Sequence, residues 1–461
     1  MKRLICILLS LIPFIGNAQQ TWYKSSPLDY MWTNVGNAGF SAGSAWNISL
    51  AFSPSGEPHV AFTESGFSGK ATVMKFDGTN WVNVGTEGFS AGQVAWTSLA
   101  FSLAGLPYVA FEDEADSGKA TVMKFDGTSW ANVGNAGFSA GQVWSTSLAF
   151  SPSGEPCVAY EDQPNHGKAT VMKFDGTNWV NVGNAGFSDS VAWDTRLVFN
   201  PFDGQPYVAF ADESFIFGYA TLMKFNGTGW VKVGNAGFSG AEARDVSLAF
   251  NPSGEPYVGY GDYGNSQKET VMKYDGTNWV NVGYAGFSAG TAWYTSLAFS
   301  PSGEPYVAFV ESGFSGKATV MKFDGTNWSY VGLEGFSTGS ASFTTLAFSP
   351  SGHPYLAYQD DGDSGRATVM DYNVPLGMNE IQSSNFIIYP NPAKINLNIE
   401  IKNAKGLVKF IQIYDLREEK LFETKTEKEK IILNVENFPT GIYFVKVKTE
   451  SSNWIGKFCK D

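Results

Sequence analysis

Seven acidic residues recur through the middle of the chain: Glu64, Asp113, Asp162, Asp212, Asp262, Glu311 and Asp360. Each stands two residues beyond an aromatic or its equivalent, and a basic residue follows at Lys70, Lys119, Lys168, Lys268, Lys317 and Arg366, with Tyr219 in the fourth copy. A carboxylate in every copy has two uses. It can brace its loop or pair with the cation across the turn, worth about 0.2–1 kcal/mol if exposed, or it can accept hydrogen bonds from a ligand. A second set comprises Trp46, Trp96, Trp144, Trp193 and Trp293, with Phe343 and Arg244 in other copies. Counted from the Phe of a recurring Gly-Phe-Ser, Trp46 is at +6 but Trp96 at +7. Packing tolerates displacement poorly. The Phe set, which never slips, is therefore expected in the core, and the slipping Trp set partly at the surface. A flat apolar ring beside acids that accept hydroxyl hydrogen bonds suits sugar recognition. Both sets are expected to bind ligand, with plain loop packing as the alternative for the Trp set.

Signals for catalysis are weak. His59 and His353 fall at one kind of hairpin and His166 in a different loop, so they form no constellation. No Ser/His/Asp grouping, metal-type His cluster or phosphate loop is visible. No catalytic residue, metal or cofactor is expected. Asp360-Asp361-Gly362-Asp363 suggests calcium but lacks a full ligand loop. The fourth copy is irregular, with an extra residue in each of two loops and Arg196 where most copies have Ser. Arg196 and Arg244 could mark one anion-binding sector, or pair locally with Asp194 or Asp212. The near-identity of the copies favours one weak site multiplied for avidity over a single catalytic centre.

These residues ride on a repeat. A Val-Gly pair recurs at Val35, Val84, Val133, Val182, Val233, Val282 and Val331, at steps of 49 residues with a single step of 51. Each period holds four strand-like runs, exemplified by Ser98–Phe101, Pro107–Phe111, Ala120–Phe125 and Trp130–Gly134, with Gly-containing hairpin turns between the first two and the last two. A period of this length means a propeller or an array. The first element is a lone fourth strand (Trp32–Gly36), while the last copy has the first three (Thr345–Tyr372) and no fourth. Joining them completes a seventh blade and removes the free sheet edges. The expected fold is all-β: a seven-bladed β-propeller of four-stranded blades, spanning 19–373. It resembles propeller lectins in blade number and repeat length, without a lectin motif. The turn Asp-Gly-Thr-Asn-Trp departs from the sialidase Asp-box spacing, and the kelch Gly-Gly doublet is absent, so no active residues carry over from either.

The chain of 461 residues has a formal net charge of −13, and residues 4–383 hold 16 basic against 34 acidic side chains. Such a body repels nucleic acid and anionic lipid. Lys2 and Arg3 precede an apolar run, Leu4 to Ile15, and Gly16-Asn17-Ala18. Residues 1–18 read as a signal peptide, too short to span a bilayer. Cys6 leaves with it, Cys459 lies near the end, and Cys157 takes a position that is Tyr in most copies, so no disulfide framework is expected.

After a linker, 374–384, the composition changes to Lys- and Ile-rich. Tyr389-Pro390-Asn391-Pro392, the run Ile411–Asp415, the block Phe438–Val447 and Lys457–Lys460 follow in order. Residues 385–461 thereby resemble the type A C-terminal sorting domain of the type IX secretion system. The resemblance implies an Ig-like β-sandwich and passage across the outer membrane of a Bacteroidetes-type bacterium, through the type IX machinery, to the surface or the medium. It assigns the sorting signal to Pro390, Asn391, Pro392, Gly441, Tyr443, Lys457 and Lys460. Together these readings describe a secreted or surface binding protein, glycans leading as ligand. The alternatives are a protein-adhesion scaffold, or a carbohydrate-active enzyme if Arg196, Arg244 and Asp212 converge.

Overall fold

The computed structural model describes residues 31–214, 217–373, 386–390, 392–401, 409–414, 420–448 and 453–460. The expected signal segment and linker lie outside them. Two compact units are present, one of them Tyr30–Asn373.

That unit is built from seven four-stranded antiparallel sheets, each in the order a-b-c-d. Blade 1 comprises Ala45–Phe52, Pro58–Glu64, Lys70–Phe76 and Trp81–Asn83. Blade 7 takes strands a to c from Ala341–Phe348, Pro354–Asp360 and Arg366–Asn373. Its strand d is Met31–Asn34, with Met31 opposite Asn373 and Asn34 opposite Met370. Strand b is buried along its whole length in most blades, because a neighbouring sheet covers each face. The a strands touch one another around the full circle and so line the axis.

Two residues of the repeat tie blade to blade. The Trp opening each strand d donates its indole N–H to the Val carbonyl of the preceding Val-Gly pair, as Trp81 does to Val35 at 2.6 Å and Trp179 to Val133 at 2.7 Å. Trp32 closes the circle on Val331 at 2.7 Å. Each Trp also lies flat on the Phe of a Gly-Phe-Ser motif, with Phe138 and Trp179 4.0 Å apart between ring centres. This is why the Phe set keeps its register. Gly36 stands at φ +70°, and a Cβ there would come within 2.9 Å of Phe76, so the Val-Gly step needs its glycine.

The rest of the motif clamps each d–a loop to strand c of the blade before it. Gly88 N–H donates to Thr72 Oγ1 at 3.1 Å, and Ala71 N–H donates to Ser90 Oγ at 3.0 Å. The Asp-Gly-Thr-Asn turn is a local device: Asp77 Oδ1 accepts from the amides of Thr79 and Asn80, both at 2.8 Å.

The second unit contains a three-stranded sheet (Phe386–Tyr389, Asn396–Ile401, Lys430–Asn434) and a four-stranded one (Lys409–Tyr414, Lys420–Thr426, Gly441–Lys448, Asn453–Lys460). Alternate residues of both, among them Leu397, Ile399, Ile411, Val445 and Phe458, form one buried core, as in a β-sandwich.

Candidate functional site

The acid ring is not a ligand surface. All seven carboxylates are buried, with 0 to 3% of each residue exposed. Each accepts hydrogen bonds within or between loops, although Asp162 Oδ1, Asp212 Oδ2, Glu311 Oε2 and Asp360 Oδ2 are buried without a partner among the described residues. Glu64 Oε1 accepts from the amides of Ala42 and Gly43, and Asp262 from the Gly264 amide, Asn265 Nδ2 and Thr270 Oγ1. Asp162 accepts from Asn165 Nδ2 and Thr170 Oγ1 at 2.7 Å, Asp113 from the Ala115 amide, and Asp212 from Ser214. Glu311 holds the Gly290 amide, and Asp360 those of Gly339 and Gly362. The residues expected as ligand anchors therefore lie below the surface as loop braces: Glu64, Glu311 and Asp360 tie in the d–a loop, and the other four hold the b–c loop or strand c of their own blade. Cross-strand partners such as Lys70, opposite Glu64, form no ion pair with them among the described residues. Burial holds the Asp113, Glu311 and Asp360 carboxyls above their ordinary range. Asp361–Asp363 forms a short turn capped by Asp360, and no cluster of metal-ligating side chains exists among the described residues.

The Trp slip has a structural cause. Every strand a carries a bulge near its start: Trp46 pairs with Thr63 and Ser49 with Ala61, leaving Asn47 and Ile48 opposite one residue. The bulge residue is left-handed in all seven blades, at φ between 52 and 56°: Asn47, Trp96, Ser145, Asp194, Asp245, Tyr294 and Phe343. All seven stand at +7 from the Gly-Phe-Ser phenylalanine. Trp46, Trp144, Trp193, Arg244 and Trp293 occupy the preceding position. The five Trp residues are therefore two groups. Trp46, Trp96 and Trp144 are 37 to 40% exposed, while Trp193 and Trp293 are half-buried.

Six of the seven bulge residues, all but Ser145, border a cavity of about 470 Å3 on the propeller axis, lined by strand a of every blade. Trp96 belongs to its wall; the other four Trp residues do not. Here the near-identity of the copies breaks down, with six residue types at seven equivalent positions. The wall is also two-sided. Trp96, Tyr294 and Phe343 supply aromatic surface, with the Tyr294 and Phe343 ring centres 5.0 Å apart. Asp194, Arg196 and Asp245 supply charge. Asp245 N–H donates to Asp194 Oδ2 at 2.8 Å. Desolvation, then the Asp194 charge, push the Asp245 carboxyl up to about 7, against the Tyr294 amide, Arg196 and Arg244.

Arg196 and Arg244 do not converge. Arg244 lies 4.4 Å over the Trp193 ring and pairs through Nε with Glu242 Oε1 at 2.6 Å, outside the cavity wall. Asp212 is a loop brace. His59 is buried against Phe101, and Cys157 is buried with its thiol pushed up to about 12 by desolvation. The +7 column was readable by aligning the seven copies on the Phe, although a consensus conceals it.

In the sorting segment, Pro390 and Pro392 are exposed, Tyr443 is buried with its hydroxyl donating to the Pro439 carbonyl at 2.6 Å, and Lys460 pairs in register with Gly441. Lys457 lies in the last strand, and Asn391 is outside the described residues.

No curated protein matches the chain. Among solved structures it is similar to PorZ of Porphyromonas gingivalis, an essential surface component of the type IX secretion system there, at 13% identity and a TM-score of 0.50. The match covers 91% of this chain and 60% of PorZ. Looser matches are the Aleuria aurantia lectin (16% identity, TM-score 0.42, 66% of this chain and 100% of that one) and an α-L-arabinanase of Penicillium chrysogenum (13%, 0.42, 61% and 93%). The Secretion system C-terminal sorting domain family matches residues 387–461. The chain is thus an all-β protein of seven four-stranded blades that carries a type IX C-terminal sorting domain, the mark of export to the cell surface or beyond.

Proposed function

We propose that this exported propeller is a glycan-binding protein whose principal site is the axial cavity at its loop-bearing face. The observation that carries the reading is the conformation of Trp96, Tyr294 and Phe343, all at φ 55°. Bulky side chains in the left-handed region are outliers that cost about 1–2 kcal/mol each. Asn47 and Asp194 show that cheaper residues fit the same bulge. Strain kept where a better residue fits points to function. Aromatic faces beside carboxylates able to accept hydroxyl hydrogen bonds suit a sugar ring. Trp46 and Trp144, exposed just outside, extend the surface for a longer chain.

The test is a glycan-array screen of the exported protein beside Trp96→Asn, which keeps the bulge and removes the ring. Binding that is lost in a folded variant supports the reading. Equal binding by both, or none by the parent, sinks it. A second reading, glycan cleavage, is favoured by the juxtaposition of Asp194 with Asp245, whose carboxyl is raised to about 7. Release of reducing ends from a bound glycan, abolished by Asp245→Asn, separates it from binding alone.

A further inference from the structure

Two interblade bonds of the repeat are given up around blade 5. In five interfaces a Ser of strand a accepts the Leu amide of the next blade, as Ser98 does from Leu148 at 2.9 Å and Ser247 from Leu297 at 3.0 Å. Arg196 stands at this Ser position facing Leu248, where it offers no acceptor. One layer up, Thr146 and Thr195 donate to the carbonyls of Trp96 and Ser145 in the preceding blade. Val246 holds that place after Asp194 and has no hydroxyl. An arginine kept on the axis at the loss of a scaffold bond needs another reason to be there.

Neutralising neighbours is not a sufficient reason. The one hydrogen bond of the Arg196 guanidinium is Nη1 to the Thr195 carbonyl at 3.2 Å, and among the described residues it forms no ion pair, although Asp194 and Asp245 share its cavity. Its other donors have no hydrogen-bond partner among the described residues, and Arg196 belongs to the cavity wall. A guanidinium with free donors matches a carboxylate through two parallel hydrogen bonds. We propose that Arg196 selects a glycan end carrying one carboxylate, of the uronic-acid class: the carboxylate on Arg196, the ring on the aromatic wall, its hydroxyls on Asp194 and Asp245. The acidic body disfavours long polyanions, whereas a single carboxylate on the guanidinium meets its cation directly through paired hydrogen bonds. This rests on the glycan reading of the axial cavity.

The experiment measures affinity of the full exported protein for galacturonate- and glucuronate-ended oligosaccharides and for their methyl esters, which differ in the charged group alone. Arg196→Ser returns the residue that five other blades use, so it should fold; Arg196→Lys keeps charge without the fork. Expected is a preference for the free acid of about tenfold or more, absent in Arg196→Ser, which loses far more affinity for the acid than for the ester, and only partly restored in Arg196→Lys. Equal affinity of acid and ester in the parent overturns the proposal and leaves the glycan reading standing. No binding of either, or of any array glycan, removes both. Loss of ester binding together with a markedly lower melting temperature in Arg196→Ser makes Arg196 a structural charge and overturns the proposal too.

Discussion

Two rings of seven residues circle the propeller, one under the loops and one at the axis. The carboxylates that end each strand b are the same chemistry in every blade, buried and hydrogen-bonded to the loops around them. The bulge residues that start each strand a share one backbone conformation and almost nothing else, and all but Ser145 border open space. In a ring of copies, sameness marks what every blade needs to stand up, whereas difference marks what the assembled molecule does once. The most repeated polar residue is the wrong place to look for a ligand.

Substitution should separate the rings by sign as well as size. Asp262→Ala removes the buried acceptor of three hydrogen bonds, one of them from the buried Thr270, and is expected to destabilise by on the order of 3 kcal/mol in chemical denaturation, with ligand affinity of the folded fraction unchanged. A loss below about 0.5 kcal/mol would return the acid ring to candidate ligand status. Trp96→Asn should do the reverse, lowering glycan affinity about tenfold or more with a melting temperature equal to or above the parent's.

Blade 5 offers a finer test. Glu269 stands where six blades have Ala, fully buried, with Oε1 unpartnered and Oε2 taking the Thr295 hydroxyl at 2.8 Å. Gly259, diagonal to it on strand b, leaves it room, since a Cβ there would come within 3.3 Å of Oε1. Burial holds the Glu269 carboxyl well above its usual range. The pair Glu269→Ala with Gly259→Ala restores the repeat and should stabilise by about 1–2 kcal/mol, more than either change alone. Additive effects would show that Gly259 does not hold room for the acid, and net destabilisation that blade 5 is packed around it.

The smallest effect concerns pH. Burial raises Glu161 to about 7, helped by Asp194 and Glu213 and opposed by Gln163, much as Asp245 is raised by burial and Asp194. Both native values exceed their unfolded ones near 4, so the folded state takes up protons between about pH 4 and 7. Their contribution to stability is complete below pH 4 and is lost as pH rises through 7. The melting temperature should therefore climb by a few degrees, about 2–4 °C, from pH 7.5 to 5.5; a fall over that interval contradicts the assignment.

Much of this architecture is legible without coordinates. The Val-Gly step, the invariant Phe and the Trp opening each strand d recur at one spacing because each contacts the next blade, so period alone reveals the ring and its closure by Trp32. The bulge is harder to see. It changes neither length nor composition, and shows only as the one-residue slip between Trp46 and Trp96. The acids misled for a related reason: a residue placed after a buried strand and before a polar turn can face either way, and nothing local says that Ala42 and Gly43 fold over Glu64.

The latch formed by Met31–Asn34 has a consequence for timing and for cutting. Its partner strand ends at Asn373, some 340 residues downstream, so a chain emerging from its N-terminus carries an unpaired strand until nearly all the propeller has been made. Loop closure over such a span adds only a few kcal/mol but slows the search, and an emerging chain therefore passes through a ring that is open on one side. The sorting domain begins at residue 387, only 14 residues past the end of that partner strand. Proteolytic trimming that strays upstream of Val374 would cut into the strand on which the latch closes, so removal of the tail without damage to the cargo would have little more than a dozen peptide bonds to act on.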